Sequence, residues 1–576
     1  MSGDESEGMA SAPTERFAIG ISFGNSNSSI AYTSADGKAE VIANEEGDRQ
    51  IPSILSYIEG EEYHGTQAKS QLVRNSKNTV AYFRDYLGKS FDSIDPTPCH
   101  ASAHPQNHES SVAFSIQDTE SDIQNSVTVS EITTRHLRRL ASSASAYLGK
   151  KVNAAVITVP TDFSEQQKEA LDKAAKEAGI EVLQFISEPV AALLAYDARP
   201  EAKMSDKIVV VADLGGTRSD VAVIVSRGGM YSILATSHDY EIGGAQLDQI
   251  LIDHFAKEFM KKNKTDPREN PRSLAKLKLE AEGTRKALSL GANASISVES
   301  LADGIDFSST INRTRYETLA NRVFGGFTRL IEGAVKKADL DLLDVDEVIL
   351  SGGTSHTPKI ARILQSVLST STVLSPSTSP TAINPSDLSA RGAAFQASLI
   401  QEFDKEDIEQ SSHPMVTVTP HLRTAVGVLV VSESEERGIF RPLLEAETAV
   451  PARRTNQFAT PKDGGDVIVK ICEGVRDIKV TKPTPKAQQN GKMDNDDESD
   501  IDSEEDEEEE IREKVWKVGK VLAEAAVRGV RKGGKVEVMV NVGGDLGVQI
   551  TAREVGGKGG VRGTLEKPAT AENGFA

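Results

Sequence analysis

Two segments of the chain share a plan that could bind a chain of phosphates. Residues 19–33 (IGISFGNSNSSIAYT) and 210–225 (VVADLGGTRSDVAVIV) each run from an apolar strand through a polar residue and a glycine-containing turn into a second apolar strand. This pattern predicts two related β-hairpins. Such turns can aim consecutive backbone N–H groups outward, and a concave array of donors suits phosphate oxygens.

A third glycine-containing turn, with two consecutive glycines, lies within residues 350–360 (LSGGTSHTPKI), where the pattern predicts a passage from a strand into a helix. The first turn of a helix has free backbone N–H groups, which also favour phosphate. One Gly-Gly turn is more often an ordinary tight turn than a phosphate loop. Three such turns in one chain, two of them duplicates, favour a phosphate-binding site.

The elements that must position these turns alternate between strands and helices. From Phe17 to about Glu402, β-rich runs alternate with long helical stretches, which predicts one large α/β unit at residues 17–403. Residues 404–414 (DKEDIEQSSHP) show no apolar face and are interpreted as a linker. The small, polar residues 1–16 predict a disordered tail.

The character of the sequence changes beyond the linker. Short strand-like runs separated by Gly, Pro and Asp predict a small antiparallel β domain at residues 415–567. An acidic run within it predicts a self-repelling, solvated loop at residues 486–512. Trp516 follows that loop among apolar residues near helical spacing, and residues 568–576 are interpreted as a tail.

The composition limits the class of protein. The 576 residues carry a net charge of −21 and are 38% hydrophobic, which suits two or more cores but not a protein that coats nucleic acid. The acidic N-terminus lacks the pattern of a signal peptide, and no apolar run is long enough to span a bilayer. Cys99 and Cys472 fit neither a disulfide framework nor a zinc site. We expect a cytoplasmic protein with no membrane partner and no sequence-specific contact with nucleic acid.

Further segments carry a resemblance to a known family. Five segments resemble, in family order, signatures of the nucleotide-binding domain of heat-shock protein 70: residues 64–80, 155–171, 185–196, 241–248 and 382–397. The match covers most of the predicted α/β unit, and the resemblance implies an actin-like ATPase fold with ATP, accompanied by Mg²⁺, in a cleft between two lobes.

The resemblance implies a set of nucleotide-binding residues. Lys69 matches the lysine that reaches the terminal phosphate, and Glu188 and Asp213 match carboxylates that hold Mg²⁺ through water. Four residues match the helix that brackets the adenosine: Glu282, Arg285, Lys286 and Ser289. The remaining implied contacts belong to the glycine-rich turns: Gly24, Asn25, Ser26, Gly215, Gly216, Thr217, Arg218, Gly243, Gly244, Gly352, Gly353, Thr354 and His356.

The residues that differ from the family pattern lie at positions that the resemblance assigns to phosphate and base binding. Ser22 stands where the family has an aspartate, and Thr217 and Arg218 stand where it has a glycine and a threonine. His356 replaces an arginine that stacks on the base. Because phosphoryl transfer requires Mg²⁺, water and phosphate in register, these changes predict ATP binding without hydrolysis, so no catalytic residue is assigned. We expect Lys69 and Arg218 to neutralise the phosphates.

The C-terminal part resembles a truncated form of the family's peptide-binding β-sandwich, without the helical lid. Truncation, degenerate turns and the acidic insertion together resemble the atypical heat-shock protein 70 subunits of the fungal ribosome-associated complex. In that branch the subunit pairs stably with a J-domain protein, zuotin, and the pair stimulates a separate heat-shock protein 70 chaperone in nascent-chain folding. The resemblance implies a co-chaperone subunit that reaches the ribosome through its partner.

Two alternatives remain open on the sequence. The same fold with unusual turns would serve an active, ATP-hydrolysing chaperone of the family. A kinase of the same fold, fused to a β module, would need a catalytic aspartate in a sugar pocket, and we cannot locate such a residue in the sequence.

Overall fold

The chain forms two compact units, Met1–Thr417 and Val418–Ala576. In the part of the chain that the structure describes, no helix is long and apolar enough to cross a membrane. The computed structural model describes residues 16–94, 102–120, 123–199, 205–228, 230–404, 406–408, 422, 424–432, 435–445, 448, 450–460, 463–481, 511–544, 547–557 and 559–565.

The first lobe of the first unit is built on a sheet with the strand order β12-β11-β1-β2-β3, and β4 pairs with β2. Its strands are β1 (Ala18–Ser22), β2 (Asn27–Thr33), β3 (Ala39–Ile42), β4 (Ile51–Pro52), β5 (Ile54–Ile58), β6 (Glu61–His64), β7 (Thr79–Ala81), β8 (Pro105–His108), β9 (Ser111–Ile116), β10 (Asn125–Thr128), β11 (Ala154–Val159) and β12 (Glu181–Ser187). Its helices are α1 (Gly65–Ser70), α2 (Val129–Leu148) and α3 (Glu165–Glu177).

The second lobe is built on a sheet with the strand order β15-β14-β13-β18-β19. Its strands are β13 (Lys207–Leu214), β14 (Ser219–Arg227), β15 (Met230–Asp239), β16 (Asn293–Ala302), β17 (Ile305–Asn312), β18 (Glu347–Ser351) and β19 (Thr372–Leu374). The helices that follow or precede these strands are α4 (Glu188–Asp197), α5 (Gly244–Asn263), α6 (Pro271–Leu290), α7 (Arg313–Leu319), α8 (Asn321–Lys337), α9 (Pro358–Val367) and α10 (Leu388–Ile400). Short 3-10 helices occupy Ser76–Asn78, Arg84–Tyr86, Phe91–Ser93, Leu342–Asp344, Gly353–His356 and Pro385–Asp387.

The predicted pair of related hairpins is confirmed. Strands β1 and β2 are antiparallel, with Ser22 opposite Ser29, and β13 and β14 are antiparallel, with Leu214 opposite Ser219. Each first strand also has a parallel neighbour, β11 in the first lobe and β18 in the second. The two lobes therefore repeat one topology, and each presents the turn of its hairpin at the same end of its sheet.

Helices α4 and α10 pack closely against each other. A Cβ atom at Gly392 would overlap the carbonyl oxygen of Ala191, so only glycine permits this approach. Helix α10 also packs on the first-lobe sheet, where a Cβ at Gly20 would overlap the backbone of Ala394. Since α4 begins at Glu188, this packing fixes the position of that carboxylate.

Some residues of the predicted tail and linker have fixed places in the first unit. Residues 406–408 are helical, and Ile408 is buried with Leu183 and Ile400, so the prediction of a segment without an apolar face is wrong there. Arg16, the last residue of the predicted tail, forms an ion pair with Glu181 at 2.9 Å. The rest of the predicted tail (1–15), and residues 405 and 409–414 of the predicted linker, lie outside the described residues.

The second unit consists of two antiparallel sheets, with the orders β21-β20-β23-β24 and β22-β25-β26-β27. Valines from both sheets, among them Val428 and Val538, fill its core. The strands are β20 (Ala425–Ser432), β21 (Glu435–Leu444), β22 (Ala452–Ala459), β23 (Gly465–Thr481), β24 (Ile511–Val530), β25 (Lys535–Val542), β26 (Val548–Glu554) and β27 (Gly560–Leu565).

Strand β24 corrects two sequence-based expectations. Trp516 lies in this strand opposite Arg476, not in a helix, because cross-strand pairing with β23 outweighs the local spacing. The same pairing places Ile511 opposite Thr481, so the predicted loop 486–512 extends two residues too far. The acidic residues 494–510 and the predicted tail 568–576 lie outside the described residues.

Candidate functional site

A cleft of about 890 Å³ lies between the two lobes, where the hairpin turns face each other. Glu282 and Thr354 line a smaller pocket of about 170 Å³ that shares Lys69 with the cleft. The sequence-predicted residues that line the cleft are Gly24, Asn25, Ser26, Lys69, Glu188, Asp213, Gly215, Gly216, Thr217, Arg218, Arg285, Lys286, Ser289, Gly352, Gly353 and His356.

Gly243 and Gly244 lie behind the second turn. The backbone N–H of Gly244 donates to Gly215 O at 3.0 Å, and that of Ala245 donates to Gly216 O at 2.8 Å. The first N–H groups of helix α5 are therefore used within the protein. These two glycines hold the second turn in place instead of facing the cleft.

The first two turns contact each other across the cleft. Asn25 Nδ2 donates to Thr217 Oγ1 at 3.1 Å. Asn25 Oδ1 is buried and accepts no hydrogen bond from any residue that the structure describes. A buried acceptor without a donor is costly, so this atom fits a site that receives one more donor, such as a water bound to a cation.

The third turn packs directly beneath the second. Gly352 has a φ of 83°, and a Cβ there would overlap the Asp213 carboxylate, so both the backbone and the space require glycine. Thr354 Oγ1 donates to Gly215 O at 2.8 Å. His356 Nε2 lies 3.1 Å from Ser386 Oγ, which fixes the imidazole at the edge of the cleft.

Lys69 joins the two lobes. Its Nζ donates to Glu282 Oε2 at 2.6 Å, and Lys286 pairs with the other oxygen of the same carboxylate at 2.7 Å. Burial alone would raise the pKa of Glu282, but the two lysines lower it to about 2. Because Lys286 also neutralises Glu282, the free-energy cost is lower when Lys69 leaves Glu282 to bind a phosphate.

The predicted adenosine helix is α6, and its arginine has a partner that sequence reasoning missed. Arg285 is buried, and its Nε donates to Asp248 Oδ1 at 2.6 Å. Ser289 Oγ donates to the Arg285 carbonyl at 3.1 Å. Asp248 belongs to helix α5, and no local pattern in the sequence indicates that these two helices place their charges together.

Glu188, one of the two predicted metal carboxylates, is buried beside a cation that sequence reasoning also missed. Arg84 Nη1 lies 3.0 Å from Glu188 Oε1 and is almost fully buried. Burial raises the pKa of Glu188 to about 8, although Arg84 opposes the shift. Burial, with the neighbouring Asp220, raises the pKa of Asp213 to about 6.

Raising the pH from 6 to 8 is expected to strengthen the binding of a Mg²⁺-nucleotide. With pKa values of about 6 and 8, Asp213 and Glu188 hold protons over part of this range. A hydrated cation requires the charged carboxylates and must displace those protons, so affinity rises as pH rises. Calorimetric titration should show a slope approaching about tenfold per pH unit where one proton is displaced.

Glu188→Gln provides the matched control for this pH dependence. The amide cannot titrate, whereas the phosphates of the nucleotide titrate equally with both proteins. We expect a shallower slope for E188Q. Equal slopes for E188Q and the natural chain would show that Glu188 does not exchange its proton for the cation.

Arg218 lines the cleft, but most of its contacts lie within the protein. Its side chain is buried against Asp220, and its guanidinium also contacts Asp162 and Tyr240. Asp220 is only two residues from Arg218 and lies opposite Asp213 in the hairpin, so its contact with Arg218 could have been predicted from the sequence. No sequence pattern indicates that Asp162 and Tyr240 also contact Arg218.

The cleft as a whole fits ATP with Mg²⁺. Its volume suits a nucleotide, and small-molecule sites commonly combine such a cleft with a few placed polar groups. Lys69 supplies a cation, Asp213 and Glu188 supply carboxylates, and Asn25 Oδ1 supplies a vacant acceptor. When bound, Mg²⁺ would neutralise phosphate charge and orient water.

Comparison with known proteins agrees with this geometry. The family model described as Hsp70 protein matches residues 18–511. A heat shock protein 70 homolog of Schizosaccharomyces pombe is 44% identical over 563 residues, which cover 96% of this chain and 97% of that protein.

Two further relatives show the breadth of the similarity. The ribosome-associated complex subunit SSZ1 of Saccharomyces cerevisiae is 42% identical over 95% of this chain and 99% of its own length. Heat shock 70 kDa protein 14-A of Xenopus laevis is 33% identical over 82% of this chain and 90% of its own length. With a duplicated hairpin topology, a nucleotide-sized cleft and relatives aligned over most of its length, the chain belongs to the Hsp70 protein family.

Proposed function

We propose that this chain is a nucleotide-binding co-chaperone subunit that binds ATP with Mg²⁺ and does not hydrolyse it. The observation that carries the proposal is the composition of the cleft. The groups that would bind are present, since Lys69, Asp213 and the helix bearing Lys286 all line it. The group at the end of strand β1 is the hydroxyl of Ser22, so this strand supplies no carboxylate to the reacting phosphate.

A similar protein supports a proposal for the complex in which this chain acts. The Saccharomyces cerevisiae protein that is 42% identical over nearly the whole chain is named a ribosome-associated complex subunit. We propose that this chain also assembles into such a complex, with a J-domain protein of the zuotin type as its stable partner. The complex would act at the ribosome together with a separate, ATP-hydrolysing heat-shock protein 70 chaperone.

The outer face of the first sheet of the second unit offers a surface for that partner. Alternate residues of β23, such as Val469 and Ile471, point into the core, so Ile468 points outward, where it is 62% exposed. Val521 on β24 is 43% exposed on the same face, opposite Cys472. The exposed Lys470–Glu524 ion pair lies between these two residues, so the face combines apolar and charged groups, as binding surfaces commonly do.

A small apolar cluster gives this face its shape. The Phe440 ring lies over Gly427 and Gly474, where a Cβ would come within 2.8 and 2.6 Å of ring atoms. Cys472 is buried beside it, and Trp516 packs against the cluster from β24. The ring fills the space left by the two glycines, so the surface beside it is fixed before a partner docks.

Mg²⁺-ATP is expected to stabilise the first unit against heat. A ligand at 100 times its dissociation constant stabilises the state that binds it by about 2.7 kcal/mol, so the thermal midpoint should rise. Differential scanning fluorimetry with ATP and with inorganic phosphate alone measures the difference. Acid extraction of freshly purified protein, followed by chromatography, identifies any nucleotide already bound. No shift with either ATP or ADP, and no nucleotide in the extract, would overturn the proposal.

A further inference from the structure

Arg218 has almost no hydrogen-bonding capacity left for a ligand. Its Nε donates to Asp220 Oδ2 at 2.7 Å, and its Nη1 donates to Tyr240 OH at 2.9 Å. Its Nη2 donates to Asp162 Oδ1 at 2.8 Å and also to Asp220 Oδ1. A guanidinium carries five N–H donors, and the described residues accept from four of them, so one remains.

The charge of Arg218 is also balanced. Its side chain is only 6% exposed and contacts two carboxylates, those of Asp162 and Asp220. A buried cation between two anions attracts a phosphate far less than a free one does, because the carboxylates repel that phosphate. The aromatic face of Tyr240, whose centroid lies 4.4 Å from the guanidinium carbon, adds a further stabilising contact.

Asp162 is the part of this cluster that comes from the other lobe. It follows strand β11 in the first lobe, whereas the other three residues lie in the second lobe: Arg218 in the turn between β13 and β14, Asp220 on β14, and Tyr240 directly after β15. Tyr240 OH donates to Asp162 Oδ2 at 2.7 Å, so both oxygens of Asp162 bind the second lobe. The carboxylate thus links the lobes and holds the guanidinium at the same time.

We infer that Asp162 is a specificity-determining residue that withholds Arg218 from the terminal phosphate of a bound nucleotide. The inference rests on the proposed nucleotide site. Asp162 acts through Arg218 and is a positioning residue. While Asp162 binds Arg218, this arginine does not raise the affinity for a nucleoside triphosphate above the affinity for a diphosphate. Without it, the freed Nη2 N–H and the remaining Nη1 N–H supply two donors, which suit a phosphate.

The test is the ratio of the affinities for Mg²⁺-ATP and Mg²⁺-ADP, measured by calorimetry on the full chain. Asp162→Ala is expected to raise this ratio in favour of ATP by at least about tenfold, since a hydrogen bond to a charged group commonly contributes that much. Asp162→Asn keeps a hydrogen-bond acceptor and loses the charge, so a smaller rise of the affinity ratio is expected. Because this variant is nearly isosteric, it replaces D162A in the test if D162A folds poorly. Combining Arg218→Met with D162A is expected to cancel the gain.

A merely structural role for Asp162 predicts a different result. Loosening of the cleft would change the affinities for ATP and ADP alike and would leave their ratio near that of the natural chain. A ratio unchanged within about threefold in D162A and D162N, or a gain that persists in the double variant, would overturn the inference. If the natural chain binds neither nucleotide, the proposed function itself fails. If it binds both and the ratio does not respond, only the role of Asp162 fails.

Discussion

ATP incubated with an excess of this protein and Mg²⁺ is expected to be recovered intact. Strand β1 ends in Ser22 instead of a carboxylate, and the guanidinium of Arg218 is tied to Asp162 and Asp220. Loss of one preorganised group commonly lowers a rate by about 10²- to 10³-fold, and two or more losses should leave no measurable turnover. Single-turnover incubation, acid quenching and chromatography of ADP give the rate.

Ser22→Asp alone is not expected to restore hydrolysis. The new carboxylate would be added to a cleft that already contains the carboxylates of Asp213 and Glu188, and it would leave Thr217 and Arg218 in the second turn unchanged. Effects of residues that act as a unit are not additive. An active member of the family, assayed in parallel, is the positive control. Turnover at a comparable rate by the natural chain would favour the alternative of an active chaperone, and recovery in S22D would show that the second turn is competent.

Charged residues on the outer face of the first sheet of the second unit are expected to abolish capture of the J-domain partner. Ile468→Asp and Val521→Asp change exposed side chains, so the fold should be retained. If the partner covers this face, each aspartate is buried there. Because the neighbouring Lys470 is already paired with Glu524, a penalty of about 3 kcal/mol is expected to lower the affinity by more than about a hundredfold. Co-expression with a zuotin-type protein, followed by affinity purification in moderate salt, measures the loss.

Val561→Asp is the matched control for these two variants. Val561 is 38% exposed on strand β27 of the other sheet, so the substitution is the same as Val521→Asp and the exposure is close to the 43% of Val521. V561D is expected to retain the partner fully. Undiminished capture by the combined I468D and V521D variant would show that the partner docks elsewhere. Equal loss in all three variants would indicate a general defect of the second unit.

Much of the site could be predicted from the sequence because its framework is local. The duplicated hairpins are short segments in which apolar alternation and turn residues determine strand, turn and strand within about 15 residues. The predicted glycines Gly215, Gly216, Gly352 and Gly353 do meet at the cleft, since strand ends of one sheet bring their turns together. The strand-to-helix passage after Leu350 is local in the same way, although its first turn is a 3-10 helix.

The sequence by itself determined many of the groups that line the cleft, although it missed Arg84, and only the tertiary structure decided which of them are paired. Lys69 meets Glu282 across 213 positions of the chain, Arg84 meets Glu188 across 104, and Arg218 meets Asp162 across 56. No periodicity links such residues, because their proximity is set by how two lobes close on each other. In the buried centre of a domain a charge must find a counter-charge, and the choice among several carboxylates depends on distances that exist only after packing.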